Sequence, residues 1–261
     1  MTRRNLFAAL LALVTAAICV RLGFWQLDRL DQRRARNADV AARLSAPAIP
    51  VALLPADTAA ARWRRVRLEG TWDFDREIAL TGRSRAGSPG VNLITPLRLH
   101  GDTLAVLVNR GWVYSPDATT VDLALWREPD RAAIEGYALT IPAAQGTDPR
   151  SSRDPRAWHA LDAAYIADLL PYPVAPFYVV ALADTVPRSE ERVAAGGREG
   201  TSTPARLVPP VLDDGSHWGY AVQWFSFAVI AIVGVSALIW QDLRARRVER
   251  TVEPEAPLRA L

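Results

Sequence analysis

The sequence predicts a membrane protein in which two transmembrane helices flank an α+β extracytoplasmic domain that is mostly antiparallel β. Two apolar stretches, one near each end of the chain, predict the helices. Between them, segments typical of β-strands follow one another in runs, which favours an antiparallel sheet over a parallel doubly wound one. The roughly 190 residues between the apolar stretches are enough to bury one core of their own.

The N-terminal apolar stretch runs from Leu6 to Val20 and follows two arginines. It matches a cleaved signal peptide, which combines basic residues, a short apolar core and small residues at the cleavage site. It also matches a retained helix from Leu6 to Leu27, with Arg21 snorkelling and Trp25 in an interfacial belt. We favour the retained helix. The segment Asp28–Leu44 contains neither glycine nor proline, which predicts that the helix continues into solvent.

The C-terminal apolar stretch, Ala221–Trp240, contains no charged residue. At about 1.5 Å per residue it spans roughly 30 Å, the thickness of the hydrocarbon core of a bilayer. Arginines follow it and two aspartates precede it, which by the positive-inside rule places the C-terminus in the cytoplasm. Several arginines beyond the first helix oppose this topology, and nearby aspartates offset them in part: Arg29, Arg33, Arg34 and Arg36, against Asp28 and Asp31.

We therefore divide the chain into four segments. Residues 1–27 form the first transmembrane helix with a short cytoplasmic N-terminus, and residues 28–216 form the extracytoplasmic domain. Residues 217–240 form the second transmembrane helix, and residues 241–261 a cytoplasmic tail. The protein is accordingly predicted to be a multi-pass protein of the cell (plasma or inner) membrane, with its main domain outside and both termini in the cytoplasm.

Strand signals fill most of the central segment. Alternating and β-branched residues predict six strands, at Arg64–Trp72, Glu77–Thr81, Val91–Leu99, Thr103–Tyr114, Ala132–Leu139 and Phe177–Ala183. A glycine-containing turn at residues 100–102 predicts a hairpin between the third and the fourth. One helix is predicted over Ala157–Leu170, with Asp154 as its N-cap and Pro155 in its first turn. Pro187–Pro204 is interpreted as a mobile loop.

The composition argues against several classes of function. The net charge is only +3 and the arginines are interspersed with acids, so no nucleic-acid partner is predicted. Cys19 is the only cysteine and Met1 the only methionine, which excludes an intrachain disulfide and argues against a copper carrier. Hydrolase motifs are missing, and the glycines at 196–200 follow no strand closely enough for a dinucleotide loop. We therefore predict that the protein is not an enzyme.

Two of the three histidines have structural interpretations. His100 lies in the predicted hairpin turn, and His159 lies in the first turn of the predicted helix. Near the end of the strongest strand, Arg110 and Trp112 admit two roles. They form a structural corner, which we favour, or they contact an acidic partner or a propionate.

His217 differs from the other two because it lies where the second apolar stretch begins. On a helix it shares a face with Tyr220, Ala221 and Trp224. Neutral imidazole is a common ligand of haem iron, and the small Ala221 would leave room for a flat ligand between the two aromatic rings. The same residues also match an interfacial belt in which His217 faces the lipid headgroups. Helical spacing does not distinguish these interpretations.

Four segments resemble motifs of the Surf1 (Shy1) family of cytochrome c oxidase assembly proteins. They are Gly23-Phe24-Trp25-Gln26-Leu27-Asp28-Arg29, Pro89-Gly90-Val91-Asn92-Leu93-Ile94-Thr95-Pro96-Leu97, Val106-Leu107-Val108-Asn109-Arg110-Gly111-Trp112-Val113 and His217-Trp218-Gly219-Tyr220-Ala221-Val222-Gln223-Trp224-Phe225. Each motif is modest by itself, but their order and the two-anchor layout extend the resemblance over nearly the whole chain. The chain departs from the family at residues 213–216, where members often have asparagines, and at residues 130–173, which match no motif.

The resemblance implies a role in maturing subunit I of haem-copper cytochrome oxidase. Bacterial members are associated with haem a, and the histidine of the last motif is a proposed ligand; by position that residue is His217. We add Tyr220 and Trp224 as candidate haem contacts because they share its helical face. The resemblance thus predicts transiently bound haem a as cofactor, with subunit I, haem A synthase and the lipid bilayer as partners. The alternative is a haem-free membrane scaffold that stabilises subunit I during assembly.

Overall fold

The computed structural model describes residues 3–55, 57–143, 146–183 and 203–252, so most of the predicted loop Pro187–Pro204 lies outside the described residues. The chain divides into two compact units, Met1–Ala38 with Leu212–Leu261, and Asp39–Val211. The described α-helices are α1 (Arg3–Ser45), α2 (Thr58–Ala61), α3 (Ala163–Leu169) and α4 (His217–Val252). Short 3-10 helices cover Val51–Leu53, Phe74–Arg76 and Leu123–Trp126.

The unit Asp39–Val211 is built around a closed five-stranded barrel. The described strands are β1 (Ile49–Pro50), β2 (Arg65–Trp72), β3 (Ile78–Arg85), β4 (Ser88–Leu99), β5 (Ala105–Tyr114), β6 (Arg131–Thr140), β7 (Ala157–Trp158) and β8 (Val174–Ala181). Around the ring the order is β2, β6, β8, β5, β4 and back to β2. Neighbours in the ring are antiparallel except β5 and β8, and the flanking pairs β1–β2 and β3–β7 are also parallel.

The ring closes because β4 pairs with two strands along the same edge. Its first part pairs with β3 and its last residues, Leu97–Leu99, pair with Gly70–Trp72 of β2. A β-carbon on Gly70 would lie 2.3 Å from the carbonyl oxygen of Arg98, so only glycine permits this approach. The expected sheet-rich domain between two apolar helices is confirmed, whereas its closure into a barrel and its parallel pairings were not predicted.

The barrel separates two apolar cores. All five ring strands contribute to the interior core, which includes Val66, Leu97, Val108, Ala138 and Val179. A second core lies on the outside, where Ile78, Ile94, Leu107, Trp158 and Ile166 pack together under α3. Alternate residues of the strands therefore face different cores, which explains why β5 is buried from Ala105 to Val113.

The prediction of a helix over Ala157–Leu170 is wrong in its first half. Residues 157–158 form β7, and the ring nitrogen of the buried Trp158 donates to the carbonyl of Pro155. The helix begins at Ala163, and its N-cap is Asp162, whose carboxylate accepts from the backbone nitrogens of residues 164 and 165. The tertiary contact of Trp158 outweighs the local N-cap signal at Asp154. His159 consequently lies in an exposed loop instead of a helical turn.

The other unit is a pair of helices, α1 and α4. The buried positions Ala16, Cys19, Gly23 and Leu30 of α1 are spaced by three, four and seven residues, as in a coiled-coil seam, and the first three contact α4. On α4 the corresponding buried residues are Ala221 and Ala228. Small residues let the helices approach closely, and a β-carbon on Gly23 would lie 2.6 Å from the ring of Phe225. Each helix is long and apolar enough to cross a membrane, which is compatible with a membrane protein.

Candidate functional site

His217 is the first residue of α4 and is half-buried. Its Nδ1 lies 2.9 Å from Oε1 of Gln26, a residue that occupies the seam of α1 between Gly23 and Leu30. An amide oxygen accepts hydrogen bonds and cannot donate them, so the contact is a hydrogen bond from Nδ1 to Gln26 in the tautomer that carries the proton on Nδ1. The first and the fourth motif lie far apart in the sequence. The contact between Gln26 and His217 brings them together.

In that tautomer, Nε2 of His217 is the unprotonated nitrogen. Among the described residues, Nε2 has no hydrogen-bond partner, so its lone pair is available to a ligand. A neutral imidazole with one nitrogen held and the other free is the form in which histidine binds a metal.

The segment before His217 is fixed to α1 by ion pairs. Nη2 of Arg33 lies 2.8 Å from Oδ1 of Asp213, and Nε of Arg34 lies 2.9 Å from Oδ2 of Asp214. The side-chain amide of Asn37 also donates to the carbonyl of Asp213, at 2.7 Å. Two of the four arginines that oppose the predicted topology are therefore neutralised by carboxylates. Asp213 and Asp214 thus have a structural role in this chain.

The three predicted site residues have different surroundings. Tyr220 is 50% exposed, whereas Trp224 is partly buried and packs against the helix seam around Cys19. Its ring also meets the edge of Phe227, with 5.9 Å between the ring centres. Ala221 is only 1% exposed, so its small side chain serves helix packing and does not leave open space for a ligand. The structure therefore brings His217 together with Gln26 and leaves Tyr220 on the exposed flank of α4.

Exposed aromatic residues occur at both ends of the helix pair. Near His217, Trp218 is 63% exposed, and Trp25 carries the guanidinium of Arg29 at 5.4 Å from its ring centre. At the other end, the guanidinium of Arg244 lies 4.0 Å above the ring of Trp240. Tryptophans and arginines at the two ends of an apolar span are typical of membrane interfaces.

Arg110 is part of a buried network in the barrel and is not available to a ligand. Its side chain is fully buried, and its guanidinium contacts Glu77 at 2.5 Å and the hydroxyl of Thr95 at 2.8 Å. Burial raises the pKa of Glu77 above its ordinary value, although Arg110 and the Thr95 hydrogen bond act in the opposite direction. Arg206 extends the network through an ion pair of 2.8 Å to Glu128. Arg110 thus has the structural role that we favoured.

The other two histidines belong to the barrel unit. His100 is exposed in the turn between β4 and β5, where its Nε2 lies 3.4 Å from the hydroxyl of Thr71. His159 is exposed, and its backbone carbonyl accepts from Arg83. No group of three or more potential metal-ligating His, Cys, Asp or Glu side chains occurs in the part of the chain that the structure describes.

Comparison with known proteins identifies the family. The model of the SURF1 family matches residues 13–229, which include most of the first apolar helix, the barrel and the start of α4. The chain belongs to the SURF1 family. It is 26% identical over 233 residues to a SURF1-like protein of Rickettsia felis, covering 86% of this chain and 93% of that protein. An uncharacterized SURF1-like protein of Mycobacterium bovis is 26% identical over 258 residues, with 94% and 88% covered.

A vertebrate relative shares a shorter region. Surfeit locus protein 1 of Takifugu rubripes is 28% identical over 116 residues, covering 39% of this chain and 48% of that protein. Membership of the SURF1 family implies a role in the assembly of cytochrome c oxidase. SURF1 proteins are assembly factors, and no feature of the described residues points to catalysis.

The role of Gln26 in this SURF1 protein was missed at the level of the sequence. Gln26 was recognised only as part of a motif, and no function was assigned to it. The signal that reveals it is the spacing of the seam, in which Gly23, Gln26 and Leu30 follow at intervals of three and four residues. A polar residue in an otherwise apolar seam needs a partner on the facing helix, and His217 is that partner.

Proposed function

We propose that this SURF1 protein is a membrane-anchored assembly factor that holds or hands over haem a during the maturation of subunit I of cytochrome c oxidase. The observation that carries the proposal is the contact between His217 and Gln26. It leaves an unprotonated imidazole nitrogen at one end of two apolar helices, and such a nitrogen is a ligand that haem iron accepts.

The residues around His217 fit a haem group in their chemistry. Trp218 and Tyr220 are exposed aromatic side chains that follow the histidine within the first turn of α4, and they offer apolar surface to a macrocycle. When bound, haem a supplies an iron that takes one imidazole nitrogen and an apolar ring system that needs an apolar surround. Trp224 acts less directly, because it packs in the seam that supports this end of α4.

A carrier must also release its haem. A single imidazole ligand favours release, because His217 is the only histidine in the described part of the helix-pair unit, and the described residues contain no group of three or more potential His, Cys, Asp or Glu ligands. Each 1.4 kcal/mol of additional binding free energy would slow dissociation about tenfold if it acted on the off-rate. A site of moderate affinity therefore suits a protein that passes haem on to subunit I.

The proposed topology has both termini in the cytoplasm and the barrel unit on the outer side of the cell membrane. The exposed tryptophans at the two ends of the helix pair support two membrane spans. The arginines that follow the second apolar stretch support the orientation, because the positive-inside rule places them in the cytoplasm. A cysteine-accessibility assay with one exposed cysteine in the barrel unit, such as Arg153→Cys, tests this orientation in intact cells.

The haem proposal is tested by purifying the full chain from cells that make haem a and recording the absorption spectrum of the bound haem. His217→Ala is expected to lose the bound haem or to change its spectrum. The matched controls are His100→Ala and His159→Ala, which replace exposed histidines of the barrel unit and should leave the spectrum unchanged. An unchanged haem content and spectrum in His217→Ala would reject the ligand assignment.

A second candidate function is that of a haem-free scaffold for subunit I. The observation that favours it is the contact of Gln26 with His217 itself, because a polar pair in a helix seam also fixes the register of the helices. In that case His217 would stabilise the helix pair without binding iron. A preparation that contains no haem but still co-purifies with subunit I, in the wild type and in His217→Ala, would favour the scaffold.

A further inference from the structure

We infer that Gln26 sets the protonation tautomer of His217 and is therefore the positioning residue of the site. The relevance of this role to haem binding rests on the proposed function. The tautomer of His217 does not depend on that function. The inference concerns one hydrogen bond, from Nδ1 of His217 to Oε1 of Gln26, at 2.9 Å. Its consequence is that Nε2, and not Nδ1, is the nitrogen that the protein presents to a ligand.

The two nitrogens of a free neutral imidazole exchange one proton, so either nitrogen can carry it. A carbonyl oxygen within hydrogen-bond distance of Nδ1 stabilises only the form in which Nδ1 is protonated. A hydrogen bond of this type also fixes the orientation of the ring and raises the basicity of the free nitrogen. Gln26 thus supplies to His217 the support that a carboxylate or a backbone carbonyl supplies to metal-binding histidines in many proteins.

Gln26 is itself held in place by the helix seam. It is half-buried and lies between Gly23 and Leu30, both of which are buried. On the other side of the contact, the ion pairs of Arg33 with Asp213 and Arg34 with Asp214 fix the segment that leads to His217. Both partners of the hydrogen bond are therefore placed by independent contacts. Such support is what a binding side chain requires to keep one orientation.

The test uses nuclear magnetic resonance of the full chain, purified without haem and labelled with nitrogen-15 in its histidines. The chain has only three histidines, so His217→Ala identifies the signals of residue 217. At about pH 8, where a free imidazole is neutral, we expect the pyrrole-type shift at Nδ1 and the pyridine-type shift at Nε2. Gln26→Met removes the acceptor at similar length and should move the signals toward a mixture of tautomers. Gln26→Glu keeps an acceptor and should preserve the Nδ1-protonated form.

The control is Gln32→Met, the same substitution at an exposed position of α1 where the side chain contacts only Arg29. It should leave the signals of His217 unchanged. Circular dichroism must show the same helix content in all variants. Where haem a binds, Gln26→Met should weaken its binding by about 10- to 100-fold, the usual effect of removing the partner of a ligating histidine.

The outcomes separate this inference from the proposed function. A proton on Nε2 in the wild type, or unchanged His217 signals in Gln26→Met, would overturn the inference even if haem binds. A proton on Nδ1 that depends on Gln26 supports the inference. If that protein nevertheless takes up no haem a, the positioning role of Gln26 stands and the haem-carrier function is rejected.

Discussion

Gln26 and His217 meet at one end of the helix pair, and Asn5 and Asp242 meet at the other, with 2.6 Å between the amide nitrogen of Asn5 and a carboxylate oxygen of Asp242. The two contacts are separated along α1 by about 30 Å, the thickness of a hydrocarbon core. Sliding one helix by a turn would leave these polar groups facing apolar residues. The pair of contacts therefore fixes the register of α1 against α4.

The close approach of the helices predicts a specific sensitivity at Gly23. A β-carbon there would lie 2.6 Å from the ring of Phe225, so Gly23→Ala forces the ring to move and should lower the free energy of unfolding by about 1–3 kcal/mol. The control is Gly219→Ala on α4, where no atom lies within 4 Å of the added carbon. That variant should be neutral or up to about 1 kcal/mol more stable, because alanine favours helices. Thermal unfolding in detergent measures the stability of both variants. Equal changes in stability would contradict the close packing of Gly23 against Phe225.

The ion pairs before His217 should contribute a small, salt-sensitive stabilisation. Arg33 and Asp213 are 42% and 68% exposed, so solvent screens their attraction and a coupling energy of about 0.2–1 kcal/mol is expected. A double-mutant cycle with Arg33→Gln and Asp213→Asn measures it. The coupling should disappear in about 1 M salt, where the screening length falls to about 3 Å. A coupling that is insensitive to salt would contradict a solvent-screened ion pair between the two side chains.

The buried Arg110 should be far more important for stability than an exposed arginine. Arg110→Leu leaves Glu77 without its buried partner and should lower the free energy of unfolding by about 3–5 kcal/mol near neutral pH. The control is Arg131→Leu, at an exposed position of β6, which should change it by less than about 0.5 kcal/mol. Chemical denaturation measures the difference, and similar losses in both variants would contradict the role of the network.

The loss in Arg110→Leu should depend on pH. Burial already raises the pKa of Glu77, and removing Arg110 raises it further. A group whose pKa is higher in the folded state binds more protons there, so stability falls as pH rises through the interval between its ordinary and its raised pKa. The penalty of Arg110→Leu should therefore shrink when the pH is lowered below the ordinary pKa of a glutamate. A penalty that grows on acidification would contradict this assignment.

Asp148 offers a second test of the electrostatics. Hydrogen bonds from Arg150 lower its pKa from 3.8 to about 2. Because the folded pKa is the lower one, the stabilisation is present above the ordinary pKa and is lost as pH falls toward 2. Arg150→Gln should return the carboxyl pKa toward its ordinary value in a carbon-13 titration. Arg153→Gln, at an exposed arginine close by in the sequence, should leave the pKa of Asp148 unchanged. A shift of equal size in Arg153→Gln would mean that the pKa responds to the overall charge and not to Arg150.

Some parts of the fold could be predicted from the sequence and others could not. The strands β2, β4 and β5 and the two long helices were found because local periodicity and apolar length determine them. Barrel closure depends on only three residue pairs between β2 and β4, and no local pattern encodes a contact between strands so far apart. The prediction of a helix from Ala157 was wrong because Trp158 is buried in a core with residues of distant strands.

The candidate site shows the same division. His217 could be singled out because it is polar at the start of an apolar stretch, a property of neighbouring residues alone. Its partner Gln26 lies 191 positions away and becomes visible only through the pairing of α1 with α4. The prediction of open space for a ligand beside Ala221 was wrong for the same reason. That residue is buried in the helix pair.

The central claim, that Nε2 of His217 binds the iron of haem a, is tested most directly by pulsed electron paramagnetic resonance of the ferric haem in the purified protein. With histidines labelled by nitrogen-15, the account predicts a coupling between the iron and a histidine nitrogen. That coupling should disappear in His217→Ala and persist in His100→Ala and His159→Ala. A histidine coupling that survives in His217→Ala, or a bound haem without any histidine coupling, would contradict the claim.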